Sequence, residues 1–297
     1  MKKFTDAYIK FKNIITFINK HPLGKQKKIL SYIRFLNWQI AQSIIPKLVM
    51  KNWVNNIQIM VKKGMTGITG SIYVGLHEFE EMCFILHYLN KNDTFIDIGA
   101  NVGCYTLLAA SKNSSVIAFE PDFDSLSTLN LNVKVNNFDN VTIYSSAVGE
   151  KQQNINFTKG LDTVNHVVKP NEINSKIVKM INIDSVPIEN NNIVMKIDVE
   201  GYEENVLKGS KDYLKDKVEV VIVETNNSNI SYGSSNDQIF DYLKDFGFKA
   251  YTYNPFSRDL VSISSDHIGN TIFIKNYEET TSRLENADFI NVMSVHI

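Results

Sequence analysis

From residue 93 onward, short runs of apolar and β-branched residues alternate with stretches whose apolar positions recur at helical spacing. "DTFIDI" (93–98) reads as a strand broken by Gly99, and Tyr105 to Ala110, after Gly103, reads as a helix. The series continues with strands at "SSVIAFEP" (114–121), "VTIYSSAV" (141–148), "NNIVMKIDVEG" (191–201) and "VEVVIVETNN" (218–227). Helices are expected between them at 124–137, 202–215 and 237–247, and "FKAYTYNP" (248–255) and "NTIFIKN" (270–276) close the series as strands. Strand–helix alternation predicts an α/β fold with a mainly parallel sheet and helices on both faces. Upstream, "KKILSYIRFLNWQIAQSII" (27–45) carries Ile29, Leu30, Ile33, Leu36, Ile40 and Ile44 at helical spacing and stops at Pro46. Residues 56–75 alternate around glycines like a β-hairpin, and 76–89 reads as a helix feeding the first strand. Residues 150–190 are irregular, as for short extra strands or a lid.

Several of these strands end in acids: Asp97, Glu120, Asp198 with Glu200, and Glu224. Sheets of this kind bind ligands outside the carboxyl ends of their strands, so one rim is expected to gather all five.

Composition limits the alternatives. With 297 residues, 43% of them hydrophobic, the chain can build one large core, or a core and a small appendage. Two cysteines, Cys83 and Cys104, predict a reducing compartment without a disulfide framework or zinc site. No run approaches a membrane span, and the Met-Lys-Lys start lacks the apolar core of a signal peptide. Residues 1–63 hold 13 Lys or Arg against one acid, while the remainder holds 18 basic and 31 acidic side chains. A net-acidic body argues against nucleic acid as partner. The basic arm is expected to dock on that body, form a solvated face, or meet a partner protein or membrane surface.

The glycine turn narrows the ligand. A dinucleotide fingerprint needs G-x-G-x-x-G, but Asn101 and Cys104 stand where the second and third glycines belong, and no P-loop Gly-Lys-Ser/Thr follows. A ligand with an amine and a ribose fits better. Asp97 can receive an α-ammonium, the Gly99–Gly103 turn lets backbone pass close, and Glu120, 21 residues after Gly99, can accept from two ribose hydroxyls. S-adenosylmethionine meets that description.

"FIDIGANVGCYT", "IAFEPD", "SSAVGE", "KIDVEGYE" and "VIVET", in this order, resemble the FkbM family of S-adenosylmethionine-dependent methyltransferases, over about residues 70–275. "GLHEFEEMCFIL" and "LDTVNHVV" add to the likeness. The resemblance implies a class I, Rossmann-like methyltransferase with a seven-stranded sheet at 71–277, between a basic helical and β-hairpin extension (1–70) and a C-terminal tail (278–297). It implies that Asp97, Gly99, Ala100, Asn101 and Gly103 lie at the methionine end, Glu120 at the ribose, and Ser146 and Ala147 beside the adenine. Asp198 and Glu200 would lie near the sulfonium, and Glu78 would reach the cofactor. One departure is that no histidine follows Glu224; Asn226 or Asn227 stands there instead.

The implied reaction is O-methylation of a carbohydrate hydroxyl on a glycan, sugar nucleotide or lipid-linked precursor, by a cytoplasmic enzyme that is soluble or peripheral to the inner membrane face. The alternatives are a non-sugar natural product as acceptor, or a catalytically idle, cofactor-binding partner subunit. A hydroxyl is a weak nucleophile, so a base is expected at a strand tip, in the order Asp198, Glu224, Glu200. A secondary option sets a divalent cation on Asp198, Glu224 and Asn226. His166 and His267 are expected to be surface or loop histidines, and Lys196 to be ion-paired or at the sheet edge.

Overall fold

A computed structural model describes residues 2–160, 164–169, 172–190 and 192–297, with side chains from residue 8 onward except at Thr66. The chain opens with helices α1 (Lys2–Lys20), α2 (Pro22–Gln26) and α3 (Lys28–Ile44), then a ribbon of β1 (Val49–Asn52) and β2 (Gln58–Val61). Helices α4 (Thr66–Val74) and α5 (Phe79–Tyr88) lead into β3 (Thr94–Ile98), α6 (Cys104–Ser111), β4 (Ser115–Phe119), α7 (Phe123–Val135) and β5 (Val141–Tyr144). Next come β6 (Ala147–Val148), β7 (Gln153–Thr158), β8 (Ser175–Ile181) and β9 (Ile193–Ile197). Then follow α8 (Glu203–Lys208), α9 (Lys211–Asp216), β10 (Val218–Thr225), α10 (Asn236–Asp245), β11 (Lys249–Asn254), β12 (Asp259–Ser262), β13 (Gly269–Ile274) and α11 (Tyr277–Glu285).

The main sheet runs β12-β11-β13-β10-β9-β3-β4-β5. Strands β5, β4, β3, β9 and β10 are mutually parallel, and β13 enters antiparallel between β10 and β11. Without β12 this is the expected seven-stranded class I methyltransferase sheet; β12 folds back on β11 as an eighth, edge strand. Alternate residues of each central strand supply two cores. Phe95, Val116, Val194 and Val220 join α5, α6, α7 and α11 on one face. Ile96, Ile117, Met195 and Val221 join α8, α9 and α10 on the other. Burial on both faces is why these strands read as largely apolar runs, interrupted by Asp97 in β3 and Lys196 in β9.

Three expectations need correction. Within 56–75 only Gln58–Val61 is a strand, and it pairs with Val49–Asn52; residues 66–74 form α4, whose Gly70 lies so close to His77 that an added Cβ would stand 3.0 Å from the His77 Cβ. The run 141–148 leaves the main sheet after Tyr144, and Ala147–Val148 pairs with β8 in a separate sheet ordered β6-β8-β7. The helix expected over 202–215 is broken into α8 and α9 at Gly209-Ser210. Ile18, Phe35 and Trp38 near the start, and Ile290, Val292 and Ile297 near the end, join the same core as β3.

Candidate active site

The register of the parallel strands builds the site. Ile98 aligns with Phe119 on one side and Ile197 on the other, and Ile197 aligns with Val223. The next residue of each strand, Gly99, Glu120, Asp198 and Glu224, therefore falls on one rim. Gly99 is fixed there by sterics: its φ is +83°, and an added Cβ would stand 1.9 Å from the Asp198 carbonyl oxygen. The Glu120 carboxylate accepts from the backbone N–H of Asn101 (2.8 Å) and of Asp122 (2.7 Å), fastening the glycine turn to β4.

Two lobes of one cleft meet at Gly99, Asn101, Asp198 and Glu200. The first is lined by Phe119, Glu120, Ser146, Ala147, Phe157 and Tyr202 among others. Ser146 Oγ is buried there without a hydrogen-bond partner. A buried hydroxyl beside apolar walls fits a flat heteroaromatic ring with a polar edge. The irregular 150–190 segment is both an added sheet and a cover, since Phe157, Asn165 and Val167 line this lobe. Lys176 of β8 donates to Asp122 at 2.7 Å and ties the cover to the start of α7. Of "LDTVNHVV", residues 161–163 lie outside the described residues. His166 is buried rather than a surface histidine: its Nδ1 faces the Val164 carbonyl (2.7 Å) and its Nε2 the Glu172 carboxylate (3.0 Å).

The second lobe is lined by His77, Glu78, Asp97, Tyr105, Lys196, Glu224 and others. Lys196 is 2% exposed, and its Nζ donates to Asp198 at 2.7 Å while lying 4.5 Å from the centre of the Tyr105 ring. Burial works against its charge, but Asp198, Glu78 and Asp97 outweigh it and hold its pKa above the usual lysine value. Burial likewise pushes Asp97 up, against Lys196 and the Thr106 hydroxyl that donates to it at 2.6 Å. Burial also opposes ionisation of Glu78, yet His77 and Lys196 keep it below its ordinary range. The carboxylates of Asp198, Glu200 and Glu224 offer oxygens within 4.8 Å of one another. Burial, then Asp198 and Glu203, pushes Glu200 up to about 7. Burial, then Asp198 and Glu200, does the same to Glu224. Two carboxyls with pKa values raised to about 7 thus sit where the two lobes join.

Residues 97–250 match the family described as the methyltransferase FkbM domain. The chain belongs to this FkbM methyltransferase family. It is 25% identical over 173 residues to "Methyltransferase 1" of Beauveria bassiana, across 49% of this chain and 70% of that protein. It is 30% identical over 148 residues to the hexuronic acid methyltransferase AglP of Haloferax volcanii, across 47% of this chain and 59% of that protein. It is 28% identical over 148 residues to an uncharacterized RNA methyltransferase of Mycoplasma mobile, across 46% of this chain and 40% of that protein. The chain therefore spans less than two thirds of two of these three relatives.

Of the residues assigned from the FkbM resemblance, Glu78, Asp97, Gly99, Ala100, Asn101, Glu120, Ser146, Ala147, Asp198, Glu200 and Glu224 all line the cleft. Gly103 does not. It stands at the N-cap of α6 with φ +95°, where an added Cβ would meet Leu129 at 2.5 Å, so its role is packing. Asn226, whose Oδ1 accepts from the Ser228 N–H (2.8 Å) at the turn after β10, also hydrogen-bonds Glu224 through its side chain and so stands beside the acid cluster of Asp198, Glu200 and Glu224. Lys196 lies on central strand β9 rather than at an edge. It was not assigned to the site, although a lysine inside "IVMKIDVEG" two residues before an acid was a readable signal. His77, and Gly67 and Ile68 of α4, are site-lining residues that strand-tip reasoning did not reach.

Proposed function

We propose that this methyltransferase uses S-adenosylmethionine to methylate a hydroxyl of a carbohydrate, on a sugar ring free of negative charge. The observation that carries this reading is the convergence of Asp198, Glu200 and Glu224 where the two lobes join, with two of the three carboxyls near neutrality. Bound across both lobes, the cofactor would supply an electrophilic methyl group on a sulfonium. The unpartnered Ser146 hydroxyl and the apolar wall of Phe119 and Ala147 suit the adenine, and Glu120 offers its remaining lone pairs to the ribose. Asp97 and the Gly99 turn suit the amino-acid end.

In the second lobe the acids orient acceptor hydroxyls, and one of them takes the proton. Sequence order placed Asp198 first as the base. Its ion pair with Lys196 makes it a positioning group, because a carboxylate held at 2.7 Å by an ammonium is a weaker proton acceptor. Glu224 therefore accepts the proton, with Glu200 as its neighbour. Five carboxyl groups, Glu78, Asp97, Asp198, Glu200 and Glu224, against one ammonium, Lys196, make the lobe repel phosphate and carboxylate groups. This disfavours an RNA or uronic acid acceptor and favours a neutral polyhydroxylated one.

A transfer assay with methyl-labelled cofactor tests this against neutral sugars, sugar nucleotides, uronic acids and RNA. Label in a neutral sugar ring is the expected result. Transfer to RNA or a uronate alone would overturn the assignment.

A further inference from the structure

Helix α3 is apolar on its outward face. Its buried positions are Ser31, Phe35, Trp38 and Gln42, and Arg34, Gln39 and Gln42 turn inward to bond the protein, while Lys28, Asn37 and Ser43 are exposed. Gln42 donates to the Lys47 carbonyl and accepts from the Lys63 N–H, and Gln39 donates to the Tyr73 hydroxyl. Arg34 donates to the Ile72 carbonyl of α4, so this mid-helix cation also faces inward. The outward side carries Ile29 (79% exposed), Ile33, Leu36, Ile40 and Ile44 (74% exposed). Their spacing of four, three, four and four residues lays them along one stripe about 22 Å long at 1.5 Å per residue.

Monomeric proteins rarely expose so continuous an apolar strip without a partner. Lys25 and Lys28 stand exposed at its start, and Lys47 and Lys51 at its end. From residue 7 to residue 77 the chain contains no acid. We infer that this face docks on a lipid bilayer bearing anionic headgroups. The isoleucines and Leu36 enter the headgroup–acyl boundary, and the flanking lysines meet the anionic headgroups. Charge separates this partner from a second copy of the chain. Parallel or antiparallel pairing of two α3 stripes would bring lysine clusters together with no acid to counter them, whereas an anionic bilayer neutralises both ends. Among the described residues no helix is long and apolar enough to cross a membrane, so α3 lies on the surface. Helix α4, to which Arg34 is bonded, supplies Gly67 and Ile68 to the second lobe, so the docked face stands one helix layer from the cleft.

Vesicle flotation with the full chain tests this. Vesicles of phosphatidylcholine mixed with phosphatidylglycerol should carry the protein upward at low salt, and pure phosphatidylcholine should not. The exposed double variant Ile33→Gln/Ile40→Gln should lower binding at least about tenfold, since two apolar side chains no longer leave water. Lys47→Gln/Lys51→Gln should lower it and flatten its salt dependence. Both variants should keep wild-type affinity for S-adenosylhomocysteine, the demethylated cofactor, and an unchanged circular dichroism spectrum. Absence of flotation, equal flotation on neutral vesicles, or unchanged flotation of the isoleucine variant overturns the inference. So does a wild-type dimer that this variant converts to monomer, which would make the stripe a seam between two copies.

Discussion

Glu224→Gln keeps the side chain's shape and removes its capacity to take a proton. In the native protein, burial and the nearby Asp198 and Glu200 raise this carboxyl from 4.5 to about 7. At pH 6 only about a tenth of it would be ionised, so wild-type kcat/KM should fall about tenfold per pH unit below neutrality. A positioned base is worth about 10²–10⁴ in rate, or roughly 3–5 kcal/mol of barrier. The variant should lose that much in kcat, measured as methyl transfer at saturating cofactor, and should lose its acid limb near pH 7. Affinity for S-adenosylhomocysteine should hold or improve, because one of three crowded acids becomes neutral. Stability gives a second reading. A carboxyl whose pKa is raised on folding favours the folded state below its unfolded value, and that contribution disappears as pH rises through about 7. The variant should therefore gain stability relative to wild type above neutral pH and not below pH 4. Wild-type turnover in Glu224→Gln, with cofactor binding intact, would refute the assignment of the base.

Glu120→Ala leaves the Asn101 and Asp122 N–H groups without their acceptor; at about 1.5–3 kcal/mol per charged hydrogen bond, S-adenosylhomocysteine affinity by calorimetry should fall at least tenfold. Gly99→Ala forces a Cβ to within 1.9 Å of the Asp198 carbonyl at a φ of +83°, so thermal denaturation should show a loss above about 2 kcal/mol, and a wild-type Tm would contradict the close approach. Excess EDTA should leave turnover unchanged, because Lys196 already supplies the cation beside Asp198; loss restored by magnesium would reassign Asp198, Glu200 and Glu224 as ligands.

The strand–helix alternation was legible because central strands buried on both faces are dominated by apolar residues, and the acids at their ends stand out against that background. The sequence alone thus determined the α/β class, the strand tips that hold Glu120, Asp198 and Glu224, and the glycine turn between Asp97 and α6. It did not show that "VTIYSSAV" changes sheets at Ser145-Ser146, because an apolar run records burial and not the identity of the neighbouring strand. Nor did it show that Gly103 serves Leu129 while Gly99 serves the cleft, since both are equally permissive in isolation. The helical spacing of Ile29, Ile33, Leu36, Ile40 and Ile44 was equally plain, but the tertiary structure placed that stripe outside and Phe35 and Trp38 inside. Only the folded chain shows that Lys196 pairs with Asp198 and not with another of the rim acids. A pattern along the chain reports which residues share a face; which face meets the core, and which charges meet each other, is decided by contacts between residues far apart in sequence.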